Sequence, residues 1–97
     1  MGLRFEWDAA KAKRNRRKHR ISFEEATTAF DDELSLTIPD PKHSVGEERF
    51  LLLGQTSRGR LVVVAFVEPG PDIEVIRIIS ARLADRGERR DYEEGQA

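Results

Sequence analysis

The sequence contains no cysteine, and this absence excludes several kinds of site at once. With none among 97 residues, the chain has no disulfide, no thiolate metal ligand and no cysteine nucleophile. No apolar run approaches the roughly 18 residues that a membrane-spanning helix needs. Residues 1–8 also lack the apolar stretch of a secretory signal. We therefore expect a cytoplasmic protein that makes no membrane contact.

The familiar motifs of several enzyme classes are also missing. The chain has no G-x-S-x-G, no phosphate-cradling glycine loop and no H-E-x-x-H. Its two histidines, His19 and His43, do not have the spacing of a metal-ligand pair. The sequence therefore predicts neither a metal centre nor a cofactor, and it does not favour a serine hydrolase.

What the chain does have is segregated charge. Hydrophobic residues make up 38% and charged residues 36%, which suits one soluble domain with a modest core. Residues 1–20 carry eight Lys/Arg against two Asp/Glu, residues 21–48 one against eight, and residues 49–97 eight of each. The basic block can bind a polyanion and the acidic block a basic partner. Solvated helix surfaces that compensate one another explain the same pattern.

Hydrophobic periodicity predicts a single α+β domain over residues 1–97, in the order β-α-α-β-β-β-β-α. Asp8 caps a basic helix that runs to about His19. Ser22 and Glu25 form an S-x-x-E capping box for the second helix. We expect these helices to pack on a curled, mostly antiparallel sheet. The predicted strands are Leu3–Trp7, Leu34–Ile38, Arg49–Thr56, Arg60–Glu68 and Glu74–Ala81.

Arginine within apolar strands is the most unusual feature of the sequence. Arg77 lies between Ile76 and Ile78, where a guanidinium is costly unless it is paired or faces a groove. Arg82 follows in the same strand, and hairpin pairing would bring Arg60 of the preceding strand close to it. We expect these cations to form a cluster that binds phosphate. The alternative is that Arg77 forms a salt bridge with an acid of the second or last helix.

Four further side chains are of interest, namely the two histidines and two aromatic residues. His19 ends the first helix, where the helix dipole stabilises an imidazolium, but it can equally be a capping or packing residue. His43 is interpreted as a solvated loop residue. Trp7 and Tyr92 can each stack on a nucleic-acid base, although core packing suits Trp7 better.

Four segments together match the pattern of a known family. They are Phe5-Glu6-Trp7-Asp8 with Lys11; Asn15 to His19 with Phe23-Glu24-Glu25-Ala26; Glu47-Glu48-Arg49-Phe50 with Gly54; and Arg77 to Arg82 with Glu88 to Glu93. They resemble the BrnT toxin family of type II toxin–antitoxin systems over roughly residues 5–94. One departure is Arg20, which stands where the family usually has glycine. We therefore expect the first helix to end differently.

The resemblance implies a RelE-like fold, RNA cleavage that arrests translation, and a BrnA-like antitoxin with a ribbon-helix-helix domain. It also implies that the toxin reaches operator DNA only through the antitoxin complex. RNA cleavage without a metal can use the 2′-hydroxyl of the substrate as nucleophile. We predict that Arg60, Arg77 and Arg82 bind the phosphate and that His19 is the general acid or base. Glu48 and Tyr92 are weaker candidates for proton transfer or positioning, and Lys11, Arg14 and Lys18 are predicted to hold the RNA backbone.

Two other functions stay open on the sequence alone. A small RNA-binding or ribosome-binding module without turnover would protect RNA rather than fragment it. A protein-interaction subunit of a DNA-binding complex would cause no growth arrest when expressed. The acidic residues 24–48 suit basic segments of an antitoxin, but a solvated acidic helix end explains them as well.

Overall fold

The computed structural model describes residues 2–44, 46–71 and 74–95 and has an α+β architecture. The expected sheet, mostly antiparallel and covered by helices, is confirmed. No helix of the described residues is long and apolar enough to cross a membrane. The elements are β1 (Arg4–Glu6), α1 (Ala9–His19), α2 (Phe23–Thr28), a 3-10 turn (Ala29–Asp31), β2 (Leu36–Pro39), a second 3-10 turn (Pro41–His43), β3 (Arg49–Gln55), β4 (Leu61–Val67), β5 (Val75–Leu83) and α3 (Arg86–Glu94).

The five strands lie in the order β1-β5-β4-β3-β2. β1 pairs in parallel with β5, and the other neighbours are antiparallel. β4 is the central strand, and all of its residues are buried. β5 extends to Leu83, two residues beyond its predicted end, because its pairing with β4 continues to Val62.

The sheet has two unlike faces. Val62, Val64 and Phe66 point toward α1 and α2 and belong to the main core; we call this side the helix face. Residues of opposite parity, such as Val63, point to the other side, which we call the open face. α3 covers part of the open face, since Glu88 of α3 lines a hollow together with Val63.

Aromatic and small residues fill the core on the helix face. Phe23, Ala26 and Ala29 are fully buried there. Trp7 packs against this cluster with its ring edge-to-face on Phe23, at a centroid distance of 5.8 Å. The interpretation of Trp7 as a core residue is therefore confirmed.

A β-bulge interrupts the pairing of β4 with β5. Ala65 pairs with Ser80, but the next residue, Phe66, pairs with Ile78, so Ile79 has no partner in β4. The extra residue reverses the alternation of side chains beyond it. Two residues of β5 on opposite sides of Ile79 therefore point to the same face of the sheet when their sequence numbers differ by an odd number.

The buried side chain of Asn15 fixes β5 just beyond this bulge. Its Nδ2 donates to the carbonyl oxygens of Ile21 (3.0 Å) and Ala81 (2.9 Å), and its Oδ1 accepts from the backbone N–H of Ala81 (3.0 Å). β1 pairs with β5 only as far as Arg77. The Asn15 amide thus takes the place of a strand neighbour at Ala81 and satisfies backbone groups that burial would otherwise leave unpaired.

Arg20 ends α1 in a left-handed conformation, with φ 61° and ψ 27°. Its backbone N–H donates to the carbonyl of Arg16, as at a helix end closed by glycine. The expectation that Arg20 makes the helix end differently is therefore wrong. The chain adopts the geometry that glycine favours, and a residue with a Cβ atom bears the steric cost.

Replacing Arg20 with glycine should therefore raise the free energy of unfolding by about 1 kcal/mol. Arg20→Ala is the matched control, because it removes the same side chain but keeps the Cβ atom. Urea denaturation followed by the fluorescence of Trp7 measures both variants. A glycine variant no more stable than the alanine variant would contradict this account of the helix end.

Candidate functional site

Arg77 and Arg82 lie on the open face of the sheet. Arg77 pairs with Val67 of β4 and Arg82 pairs with Val63, and these two valines point to the same side. The two arginines are five residues apart, so regular alternation would put them on opposite faces. The bulge at Ile79 is what brings them to one side.

Arg77 forms an ion pair with β1. Its Nε lies 2.9 Å from Oε2 of Glu6, which is its direct neighbour in the parallel pairing. Its Nη1 lies 3.9 Å from Oε1 of Glu47. The expected alternative, a partner from the second or last helix, is wrong, because β1 is closer than either helix in this register. All three side chains are well exposed, so these pairs add little to stability.

Arg82 holds α3 against the sheet. Its two terminal nitrogens donate to the two carboxylate oxygens of Glu88, each at 2.8 Å. Glu88 also accepts from the backbone N–H of Asp85 and so completes the capping box of α3. The hydrogen bond with Arg82 holds the pKa of Glu88 below its ordinary value. The Arg82 side chain therefore lies on the open face and forms its ion pair with Glu88 there.

Arg49 is a third arginine of the open face, and it was not among the predicted site residues. It pairs with Val67, which also pairs with Arg77, so the two arginines are separated by two strand spacings, roughly 10 Å. Its Nε is buried and has no hydrogen-bond partner within the described residues. The segment Glu47-Glu48-Arg49-Phe50 carried the family resemblance, but its arginine was interpreted only as the start of a strand.

Arg60 points to the opposite side, so the predicted convergence of Arg60, Arg77 and Arg82 is wrong. Its Nε donates to Oε2 of Glu25 in α2 (2.8 Å), and its Nη2 donates to Oε1 of Glu25 and to the carbonyl of Arg20 (3.1 Å). Arg60 and Arg82 do lie at the same end of the paired strands, as expected for a hairpin. They diverge because the Arg60 side chain bonds to the helix layer and Arg82 bonds to α3.

His19 is half-buried at the last residue of α1. No hydrogen bond joins it to any of these arginines within residues 2–44, 46–71 and 74–95. His43 is exposed and contacts Asp40 at 2.9 Å, as expected of a loop histidine. Across the same ranges, no three His, Asp or Glu side chains are grouped so that they could hold a metal ion.

The predicted RNA-backbone residues are on the surface. Lys11, Arg14 and Lys18 are exposed on α1. Glu48 is exposed directly before β3, next to Arg49. These four side chains are accessible to a ligand.

Tyr92 has a structural contact that the sequence did not predict. Its hydroxyl donates to Oδ2 of Asp32, at 2.7 Å, and this hydrogen bond raises the pKa of Tyr92 to about 12. Asp32 also accepts from the backbone N–H groups of Leu34 and Gln55. Tyr92 therefore ties α3 to the segment that precedes β2.

Comparison with known protein families identifies the family of this chain. The family profile described as the ribonuclease toxin BrnT of type II toxin–antitoxin systems matches residues 7–88. The chain belongs to the BrnT toxin family. Members of this family are ribonucleases of toxin–antitoxin systems. The family as a whole therefore has RNA as its substrate and an antitoxin as its partner.

The fold of this BrnT family member is similar to a solved structure. The crystal structure of the Brucella abortus ribonuclease toxin BrnT matches with a TM-score of 0.66 and 21% identity, over 87% of this chain and 99% of that one. At this identity the likeness establishes a shared fold. No curated protein sequence matches the chain significantly.

In this BrnT family member, the Glu25–Arg60 pair stabilises the scaffold. Ser22 accepts from the backbone N–H of Glu25, as the predicted capping box requires. The reciprocal bond is absent, because the Glu25 carboxylate is buried and bonds to Arg60 and to the hydroxyl of Thr56 (2.8 Å). The hydrogen bond from Arg60 lowers the pKa of Glu25. One network thus joins α2 to the β3–β4 turn.

Glu25→Gln should lower the free energy of unfolding by about 2 kcal/mol at about pH 7, because it removes a buried charge-assisted bond. The folded-state pKa of Glu25 lies below the ordinary 4.5. The contribution is therefore complete above about pH 4.5 and is lost as the pH falls through the folded-state pKa. Urea unfolding between about pH 7 and pH 3 should show the two proteins converging in acid. The exposed Glu24→Gln is the control, and an equal effect of both changes at pH 7 would contradict the network.

Tyr92 is the one tyrosine of the chain, so tyrosinate absorbance reports on it alone. The folded protein should titrate with a midpoint of about 12, and Asp32→Asn should move the midpoint toward the ordinary value of about 10. Since the folded-state pKa is raised, the stability gained from this bond is present below about pH 10 and is lost as the pH rises toward 12. Circular dichroism checks that the fold persists. A wild-type midpoint near 10 in the folded state would exclude the Tyr92–Asp32 bond.

Proposed function

We propose that this chain is an endoribonuclease toxin with a RelE-like fold, and that the open face of its sheet binds the scissile phosphate. The observation that carries the proposal is the β-bulge, since it leaves Arg77 and Arg82 on the face that also holds Arg49. Guanidinium groups engage phosphate oxygens in pairs and keep their charge at any working pH. Membership of a ribonuclease toxin family supports the same assignment.

The proposed reaction needs no metal. The 2′-oxygen of a ribose attacks the adjacent phosphorus, the bond to the 5′-oxygen breaks, and a 2′,3′-cyclic phosphate and a 5′-hydroxyl form. The proton of the 2′-hydroxyl passes to a base, and an acid supplies a proton to the leaving oxygen. Arg77 and Arg82 stabilise the extra negative charge on the phosphorane, the role of a pre-organised cation in a transition state. Arg49 begins β3 on the same face and is the candidate for a third contact to the phosphate.

Ion pairing of the arginines is compatible with this role. A phosphate takes the place of Glu6 on Arg77, and an exposed ion pair of this kind costs little to exchange. On Arg82 the phosphate competes with Glu88, which is partly exposed and bonded through both of its oxygens. Glu6 is then released beside the phosphate as a carboxylate that can accept the 2′-hydroxyl proton. His19 and Glu48 stay candidates for the second proton transfer, whereas the bond of Tyr92 to Asp32 favours a structural role for that residue.

The partner we propose is a BrnA-like antitoxin with a ribbon-helix-helix domain, through which the toxin reaches operator DNA. An apolar groove between β2 and α3 supports a protein partner, because Ile38 there is 57% exposed. Asp91 at its edge suits a basic segment. Free toxin would cleave RNA in the cytoplasm and arrest translation.

Arg82→Ala should reduce RNA cleavage at least 100-fold and relieve growth arrest, because it removes a cation that stabilises the transition state. Its effect on stability should stay within about 1 kcal/mol, since the pair with Glu88 is partly exposed. Glu88→Gln is the matched control: it breaks the same ion pair but keeps the arginine and an N3 side chain that can cap α3.

Cleavage is measured on purified RNA by mapping fragment ends, and growth arrest by induced expression without a partner. An equal loss of cleavage in both variants would assign Arg82 to the scaffold. Protection of RNA without fragments would favour a binding module. Expression without growth arrest, together with charge changes that affect only complex formation, would favour a protein-interaction subunit.

A further inference from the structure

A second group of cations lies on the helix side of the molecule, at the end of α1 and at the β3–β4 turn. We call it the basic surface; its members are Lys13, Arg16, Arg17, Arg20 and Arg58. We propose that the basic surface binds the phosphodiester backbone of RNA at a point separate from the open face. This proposal rests on the proposed function only in naming RNA as the ligand.

Two adjoining hollows form the basic surface. Arg58, at the turn, lines a hollow of about 540 Å³ together with Arg16 and Arg20. Lys13 and Arg17 line the neighbouring hollow, of about 610 Å³, which again includes Arg16 and Arg20. The two arginines shared by the hollows join them into one continuous cationic concavity.

The cations of the basic surface are available to a ligand. All five are exposed, and no ion pair neutralises any of them in the part of the chain that the structure describes. The adjacent Arg60 differs, since Glu25 neutralises it. Two carboxylates line the first hollow: Glu24 and Glu25, the partner of Arg60. Unpaired cations around a hollow raise the local potential and attract a polyanion.

The chemistry of the lining favours nucleic acid over protein. Among the described residues, only charged and polar ones line the two hollows, whereas protein interfaces need a desolvated apolar centre. Ser22 and Ser57 add hydroxyl groups among the arginines, and such side chains are common donors to phosphate oxygens. The groove between β2 and α3 is the opposite case, because leucine and isoleucine side chains line it.

The basic surface and the open face meet at one end of the sheet. Arg58 lies three residues before β4 begins at Leu61, and Arg82 pairs with Val63 near the start of the same strand. An RNA chain that crosses the open face toward this end of the sheet would reach the β3–β4 turn. Contacts there would position the flanking backbone without reading its sequence.

The test measures binding to a 2′-O-methyl RNA of about 20 nucleotides, which lacks the nucleophile and cannot be cleaved. Arg16→Gln with Arg58→Gln should weaken binding about tenfold at near-physiological salt and should reduce the slope of log affinity against log salt by about 1.5, as for two lost phosphate contacts. The control, Arg89→Gln with Arg90→Gln in α3, removes the same charge from exposed positions and should change affinity less than twofold. Fluorescence anisotropy over a salt series gives both quantities.

Equal weakening by the two double variants would overturn the proposal, since it would show an effect of net charge alone. Tighter binding of a DNA strand of the same sequence would overturn the assignment to RNA. If binding of a polyglutamate peptide depends on Arg16 and Arg58 and binding of RNA does not, the surface would be assigned to an acidic protein instead. Because no cleavage is measured, the site can be confirmed even if Arg82→Ala leaves cleavage intact, and it can fail even if cleavage is lost.

Discussion

The register of β5 against β4 is the constraint on which the candidate site depends. A regular strand would direct Arg77 and Arg82 to opposite faces, and only the unpaired Ile79 between them brings both to the open face. Asn15 secures this arrangement from the other edge by bonding both backbone groups of Ala81. One irregular strand residue and one buried amide thus decide where the arginines point.

Arg77 and Arg82 each form an ion pair with a carboxylate. The solvent exposure of an ion pair decides how easily a phosphate can replace its carboxylate. Arg77 contacts Glu6 with both side chains nearly half exposed, so solvent screens their attraction. A doubly coordinated phosphate competes well for such a cation. Arg60 is the contrast, because its partner Glu25 is buried and cannot be released without loss of scaffold stability.

Periodicity and capping signals predicted most of the fold. The S-x-x-E signal correctly started α2 at Phe23, because a cap is decided by residues close in sequence. The candidate site was harder to predict, because the face of the sheet on which a side chain lies depends on pairing between strands that are distant in sequence. The odd spacing of Arg77 and Arg82 did not reveal a bulge, and proximity in a hairpin did not reveal that Arg60 bonds to α2. The family resemblance included Arg49, but only the sheet register relates Arg49 to Arg77.

The central proposal is that the scissile phosphate binds on the open face of the sheet rather than at Arg60. The most direct measurement follows the Nε–H signals of arginine side chains by NMR while a short 2′-O-methyl oligonucleotide of about three nucleotides is added. We expect the signals of Arg49, Arg77 and Arg82 to shift together, and to shift more than the signal of Arg60, whose Nε stays bonded to Glu25. A shift of Arg60 with the other three unchanged would contradict it.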